Sequence, residues 1–175
     1  MSEDLRYPIG KFYFDAGSAV SGRVDSIRTI EELPVRLRQA IGGLNEEQLQ
    51  TPYREGGWTV HQLIHHVADS HMNSFVRFKL ALTEDKPTIK TYEESDWALT
   101  TDVTNVPVEI SLKLLDALHE RLFILLASLS DEAFARELNH PEQGLVSLEF
   151  LTAMYAWHSR HHTAHITSLR ERMNW

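Results

Sequence analysis

Ten histidines occur among the 175 residues, and eight of them fall in two short segments. These segments are GGWTVHQLIHHVADSHMN and WHSRHHTAHI. Neutral imidazole nitrogens are ligands for zinc, nickel, copper and iron(II). The chain contains no cysteine, so it offers no thiolate ligand, no disulfide and no protein thiol nucleophile. The two clusters therefore predict a metal site built from histidines.

His158 and His162 are the strongest part of this signal. Residues four apart on a helix project from the same face about one turn apart, which suits two ligands of one ion. The apolar residues that share their stripe are Leu151, Tyr155, Ile166 and Leu169. A single interior histidine is more often a hydrogen-bonded core residue, but two stacked imidazoles are costly to bury without partners. A third histidine on the other cluster would leave a coordination position open, as in catalytic sites.

The third ligand is ambiguous when only periodicity is considered. On a helical wheel, His71 shares an apolar stripe with Val60, Ile64, Val67, Phe75, Phe78 and Leu82. His66 lies away from that stripe, on a polar side with Ser70, Asn73 and Arg77. Such a side is either solvated surface or one wall of a polar pocket, and surface is the more common arrangement. Periodicity alone therefore favours His71.

Four predicted helices must position these residues. Apolar residues at three- and four-residue steps predict helices over 27–41, 59–83, 107–129 and 147–175. The first ends at Gly42-Gly43 and contains Pro34 as a candidate kink. The second begins with a capping box of Thr59 and Gln62, and Ser147 can cap the fourth.

The connecting segments are long. Residues 1 to about 24 lack a sustained period and predict an irregular arm, and residues 84–106 predict a long ordered loop. A short acidic turn or helix is expected over 130–137. Strand-like alternation is scarce throughout. The sequence therefore predicts one all-α domain over 1–175, a four-helix bundle with long crossover loops.

Charge and hydropathy exclude several classes of partner. Lysine and arginine total 17 against 25 acidic residues, which gives a formal charge of −8 with no basic block. This balance argues against nucleic acid and anionic membranes as partners. No stretch reaches the roughly 20 apolar residues that span a bilayer, and MSEDLRYPIG lacks the features of a secretion signal. We therefore expect a cytoplasmic protein.

Three segments, in order, carry a family resemblance. They are YPIG, then TPYREGGWTVHQLIHHVADSHMNSFVRFKLALTE, then YAWHSRHHTAHITSLRERMNW. Over nearly its whole length the chain resembles the YfiT-like branch of the DinB superfamily of metal-binding four-helix bundles. The resemblance implies that the HHV motif supplies His66 as a ligand and that HSRHH supplies His158 and His162. It implies that His71 is a neighbour of the site, in place of the ligand role that the helical wheel favours for this residue.

The resemblance also implies a reaction class. Members are described as metal-dependent hydrolases that act as cytoplasmic homodimers, and some relatives transfer low-molecular-weight thiols to electrophiles. A dimer would also account for apolar residues beyond one stripe of the third helix, which are Leu112, Leu115, Phe123 and Leu126. We expect one divalent ion per chain, zinc first and nickel as the alternative, and a small-molecule substrate.

Hydrolysis and thiol transfer place different demands on the chain. Hydrolysis usually requires a general base, yet there is no HExxH motif and HSRHH contains no carboxylate. Glu55, Asn73 and Arg77 are weak candidates for catalytic residues, and Glu55 is more simply an exposed loop acid. A bacillithiol-like thiol could attack an electrophile without a protein base. We therefore predict a hydrolase, with a thiol S-transferase and a non-catalytic metal-binding module as alternatives.

Overall fold

The computed structural model describes residues 4–175 of the chain. Its four long helices are Ala16–Ile41 (α1), Val60–Thr83 (α3), Val108–Ala127 (α6) and Leu148–Met173 (α8). Four single-turn helices are Glu46–Leu49 (α2), Glu94–Trp97 (α4), Thr101–Thr104 (α5) and Asp131–Phe134 (α7). The strands Glu137–His140 (β1) and Gly144–Ser147 (β2) form an antiparallel hairpin. Within the described residues, every helix is too short or too polar to cross a membrane.

The order of the helices around the bundle differs from their order in the chain. Helix α1 packs on α6 and α8, and α3 packs on the same two helices. Therefore α1 lies diagonally opposite α3, although they are consecutive long helices. The connections from α1 to α3 and from α6 to α8 must both cross an end of the bundle. This arrangement confirms the predicted four-helix bundle with crossover connections.

Local capping signals determine where the long helices begin and end. Thr59 and Gln62 form both hydrogen bonds of the predicted capping box at the start of α3. At the start of α8, the Ser147 hydroxyl accepts a hydrogen bond from the backbone of Phe150 at 3.1 Å. Helix α1 ends immediately before Gly42-Gly43, and Gly43 has a φ of +82°, which glycine adopts without strain.

Helix α1 begins at Ala16, so the predicted irregular arm is wrong over its second half. Asp15 caps this earlier start by accepting a hydrogen bond from Gly17. Arg23 forms ion pairs with Asp131 and Glu149, which are distant in sequence. These partners stabilise a turn whose glycines and serines give no local helical signal. Residues 1–3 of the predicted arm lie outside the described part of the chain.

The β-hairpin is a feature that the all-helical prediction missed. Leu138 pairs with Val146 and His140 pairs with Gly144 across the two strands. Gly144 has a φ of +72°, which allows the tight turn between them. Each strand has only four residues, too few for alternation to stand out in the sequence. The hairpin packs β1 against α3 and leads directly into α8.

Buried histidines separate the apolar core into two clusters. One cluster includes Leu33, Leu63, Ile64, Val67, Leu112, Leu115, Ile166 and Leu169. The other includes Ile30, Phe78, Leu122, Leu126, Phe134, Leu138, Leu151 and Tyr155. Three helices each carry one histidine between a residue of the first cluster and a residue of the second. These histidines are His71 on α3, His119 on α6 and His158 on α8. The bundle therefore contains a layer of imidazoles between two apolar ends.

Three of the four apolar residues of α6 that suggested a dimer are buried within the chain, whereas Phe123 is partly exposed. Leu112, Leu115 and Leu126 are each buried in the protein's own core. Ile110 and Ile124 of the same helix remain exposed. The homodimer stays a prediction that rests on the family resemblance.

Candidate metal centre

Three histidines from two helices converge at one point in the bundle. His66 comes from α3, and His158 and His162 come from α8. One nitrogen from each lies within 4.8 Å of the other two. The Nε2 atoms of His158 and His162 are 3.1 Å apart. Two nitrogens bound to one tetrahedral zinc ion would be roughly 3.3 Å apart, so this spacing suits a shared ion.

His71 lies beside this group and not within it. Its Nε2 is 3.2 Å from Nδ1 of His158, on the opposite side of the His158 ring from the Nε2 that faces His162. The His71 ring stacks on His119, with ring centroids 4.8 Å apart. His119 in turn donates from Nδ1 to the carbonyl oxygen of Ile30 at 2.5 Å. The structure thus brings together the three residues that the resemblance implied and places His71 behind one of them.

The polar side of α3 is buried, contrary to the arrangement that we considered more common. His66, Ser70 and Arg77 are each no more than 8% exposed. Asn73 is partly exposed, and its Nδ2 donates to the carbonyl of Asp69 on the same helix. Helix α3 is covered by α6 on one side and by α8 on another, and β1 also packs against it. A wheel that assumes one buried face therefore gives the wrong environment for His66.

His61 and His65 have a different role at the start of α3. The Nε2 of His61 is 2.9 Å from the carbonyl oxygen of Val103. The Nε2 of His65 is 3.0 Å from the carbonyl oxygen of Val106, and its Nδ1 is 2.7 Å from the hydroxyl of Ser111. These bonds attach the segment around α5 and the start of α6 to α3. Hydrogen bonds within the fold therefore explain both histidines without a metal ion.

A second group of histidines on α8 also has the spacing for an ion. It consists of His161, His162 and His165. Aromatic rings cover it, since Trp157 stacks on His161 at 4.3 Å and Tyr53 stacks on His165 at 4.0 Å between ring centroids. The protein has a cavity of about 550 Å³ whose wall includes His158 but no member of this second group. Of the two groups, only the one with His66 therefore includes a residue of the cavity wall, His158.

Burial keeps the three converging histidines neutral. It lowers the pKa of His66 to about 4 and the pKa values of His158 and His162 well below the ordinary 6.5, with neighbouring histidines adding to the effect. Neutral imidazole is the form that binds a metal. Nδ1 of His162 is buried without a hydrogen-bond partner, as is Nδ1 of His71. An all-nitrogen donor set of this kind fits a divalent zinc or nickel ion.

A cavity of about 550 Å³ opens beside His158. Its wall includes residues from α3, α4, α8 and the hairpin turn, among them Arg77, Glu94, His140 and Glu142. Trp58, another wall residue, covers the His66 ring with centroids 4.5 Å apart. The volume is in the range that small-molecule sites occupy. The cavity therefore opens onto one of the three converging histidines, His158.

The three weak catalytic candidates lie in different environments. Arg77 lines the cavity, whereas Glu55 lies exposed in the turn before α3. Neither Glu55 nor Asn73 is among the described residues of the cavity wall. Sequence reasoning missed His140 and Glu142, because the hairpin that brings them to the cavity gives no strong local signal.

Comparisons with known proteins agree with this geometry. The family model described as the DinB superfamily matches residues 29–166. A protein of Bacillus mycoides (strain KBAB4) named "Putative metal-dependent hydrolase" is 54% identical over 174 residues, which cover 99% of each chain. A protein of Bacillus cereus (strain B4264) with the same description is 54% identical over 98% of this chain and 99% of its own.

A solved structure extends the similarity to the fold. The structure of YfiT from Bacillus subtilis is described as that of "a probable metal-dependent hydrolase with an unusual four-helix bundle topology". It matches with a TM-score of 0.94 and 44% sequence identity, over 98% of this chain and 99% of that chain. The chain therefore belongs to the DinB superfamily, as a YfiT-like member.

Proposed function

We propose that the protein is a metal-dependent hydrolase that holds one divalent ion through His66, His158 and His162. The observation that carries the proposal is the convergence of three neutral imidazoles beside a cavity of about 550 Å³. The names of the relatives support the same class. Three protein ligands leave room for water or a substrate group, which distinguishes such a site from a closed structural one.

Zinc is the ion that we propose first, with nickel as the alternative. When bound, such an ion supplies Lewis acidity and makes water a competent nucleophile near neutral pH. The chain's own residues orient the ligands. Nδ1–H of His158 can donate to Nε2 of His71 at 3.2 Å, which leaves Nε2 of His158 free for the ion. Trp58 packs over His66 and shields that ligand from solvent.

His140 is placed to donate a hydrogen bond to a substrate oxygen. Its Nδ1 accepts from the backbone N–H of Glu142 at 3.2 Å, so the neutral ring carries its proton on Nε2. Burial and the charge of Arg77 lower the pKa of His140, although Glu142 partly opposes this. The ring is therefore neutral near pH 7. In that form it orients a substrate and is not a strong acid.

The cavity also provides carboxylates that the ligand motif lacks. Glu94 and Glu142 both line the wall that includes His158. Either carboxylate is available to take a proton from attacking water, the role of a general base. Hydrolysis needs such a base whereas attack by a thiolate does not, so these carboxylates supply what the hydrolase proposal requires. Thiol S-transfer remains the alternative use of the same three histidines.

An activity screen with defined metal content tests the proposal. Zinc-loaded and nickel-loaded protein are assayed against ester, amide and electrophile panels, with and without small thiols. We expect turnover without a thiol, and we expect His158→Ala to lose both the metal and the activity, while His61→Ala retains the metal. Turnover that requires a thiol would instead identify a transferase. Bound metal without turnover of any panel member would indicate a non-catalytic module.

A further inference from the structure

Arg77 is a buried cation whose guanidinium is incompletely bonded. Its side chain lies in α3 and is only 8% exposed. Nη1 donates to the hydroxyl of Tyr155 at 3.3 Å, a long hydrogen bond, and Nε is buried with no hydrogen-bond partner. A buried guanidinium is costly unless its N–H groups are paired.

No carboxylate of the described chain, residues 4–175, neutralises Arg77 at close range. Every ion pair within 4.0 Å in this part of the chain involves another basic residue. The acids of the cavity wall are Glu93, Glu94 and Glu142, and all three have exposed surface. Burial raises the pKa of Glu94 and the charge of Arg77 partly opposes this, but the two groups form no ion pair within 4.0 Å. A buried cation that faces a cavity without a close counter-ion is suited to an anionic group of a ligand.

Arg77 also lies close to the proposed metal ligands. The Tyr155 hydroxyl accepts its hydrogen bond, and the Tyr155 ring centroid is 5.7 Å from that of His158. Tyr92 lines the same cavity, and its hydroxyl lies near the Ser70 hydroxyl in the cavity wall. The wall of one cavity therefore includes both His158 and Arg77, whose buried Nε lacks a partner.

We infer that Arg77 binds a carboxylate group of the substrate, so that the preferred substrates are small molecules with one carboxylate. The planar guanidinium matches the two oxygens of a carboxylate, and the cavity then holds the rest of the molecule beside His158. The assignment of the cavity as the substrate site rests on the proposed function. The binding of a carboxylate by Arg77 does not depend on the reaction.

The charge of the cavity wall favours a carboxylate over a phosphate. One arginine faces three wall carboxylates, and the whole chain carries a formal charge of −8. A phosphate dianion would place a second negative charge near Glu93, Glu94 and Glu142. Repulsion between like charges opposes such a ligand. A single carboxylate satisfies Arg77 with less repulsion from the wall.

A binding experiment separates this inference from the hydrolase proposal. N-acetylglycine, its neutral analogue N-acetylglycinamide and inorganic phosphate are titrated into zinc-loaded and metal-free protein. The fluorescence of Trp58 and Trp157, which line the cavity, reports binding. In both forms we expect the acid to bind about 10- to 100-fold more tightly than the amide, the range for a hydrogen-bonded charge, and more tightly than phosphate.

Variants of matched chemistry identify the responsible residue. Arg77→Gln should abolish the preference for the acid, and Arg77→Lys should retain part of it because the charge remains without the planar fork. Arg160→Gln removes an exposed arginine outside the cavity wall and should leave the preference intact. If Arg77→Gln does not fold, the Arg77→Lys variant and the comparison of acid with amide in the original protein still decide the matter.

The opposite results are equally clear. In the metal-free protein, where no ion can bind the ligand, each of four results would overturn the inference: equal affinities for acid and amide, no saturable binding of the acid, tighter binding of phosphate, or a preference that survives in Arg77→Gln. Zinc content is measured in every variant. If the unsubstituted protein retains zinc but shows no acid preference, the role of Arg77 alone is refuted. An acid preference in an unsubstituted protein that binds neither zinc nor nickel would refute the hydrolase proposal alone.

Discussion

His66 and His71 lie on the same helix, and both contact His158, but from different sides. The His66 ring is 4.9 Å from the His162 ring and 5.6 Å from the His158 ring, at the side where the Nε2 atoms meet. His71 contacts Nδ1 of His158. Their positions predict different consequences of substitution, because one imidazole can bind the ion directly and the other can only orient a ligand.

We expect His66→Ala to remove nearly all metal, since two remaining ligands cannot hold a three-ligand site. We expect His71→Ala to retain the metal with affinity reduced about 10- to 100-fold, the usual loss when a partner of a ligand is removed. Zinc titrations in competition with a chelating dye measure both affinities. If His71→Ala lost the ion and His66→Ala kept it, the assignment of the third ligand would be reversed.

The ligand set shows which residues local sequence can identify. His158 and His162 were predicted from spacing because both lie on α8, and the geometry of residues four apart is a local property. His66 required the family resemblance, since its environment depends on α6 and α8 packing on different sides of α3. Glu142 had no local signal at all, because a hairpin distant in sequence from α3 brings it to the cavity.

At the scale of elements, Arg23 connects the first half of α1 to α7 and to the start of α8. Its Nε donates to Glu149 at 2.7 Å, and its guanidinium lies 4.1 Å from the centroid of the Phe134 ring. The side chains of Arg23 and Glu149 are only 13% and 12% exposed, so water screens this pair less than a surface pair. The contacts stabilise a turn that glycine and serine make intrinsically weak.

We expect Arg23→Met to increase amide hydrogen exchange over residues 16–26 and to leave residues 30–41 of the same helix protected. The second half of α1 contributes Ile30, Leu33 and Leu37 to the core, so it does not depend on Arg23. Exchange measured by mass spectrometry tests this. Arg36→Met, which removes an exposed pair with Glu32, is the control and should change neither half. Uniform exchange across α1 in the Arg23 variant would contradict the prediction.

The elements differ in how far local sequence determines them. The start of α3, the start of α8 and the end of α1 followed from Thr59, Ser147 and Gly42-Gly43, which act on adjacent backbone groups. The early start of α1 depends on partners more than a hundred positions away in the sequence. The diagonal order of the helices is likewise a property of packing that periodicity in each helix does not contain.

At the scale of the whole molecule, the buried histidines make stability depend on pH. Burial lowers the pKa values of His66, His119 and His161 to about 4 and that of His165 to about 3. In the unfolded chain these groups titrate near 6.5. Below that pH the unfolded state binds protons that the folded state does not bind, so the free energy of unfolding decreases as pH falls.

This loss extends from about pH 6.5 down to the folded-state pKa values, and above about pH 6.5 these groups no longer affect stability. Each such histidine contributes a slope of about 1.4 kcal/mol per pH unit within the window. Asp69 acts in the opposite direction, because burial raises its pKa to about 6 and its protonation favours the folded state as pH falls. One carboxyl group offsets only a fraction of the histidine contribution.

We therefore expect the metal-free protein to lose several kcal/mol of unfolding free energy between about pH 7 and pH 5. Urea unfolding in the presence of a chelator, followed by circular dichroism, measures this. His119→Gln is the matched variant, because the glutamine amide can still donate to the carbonyl of Ile30 but does not titrate. The free energy of unfolding of this variant should change with pH less steeply, by about the 1.4 kcal/mol per pH unit that one histidine contributes. A free energy of unfolding that stayed constant over this pH range would show that the histidines are protonated without cost in the folded state.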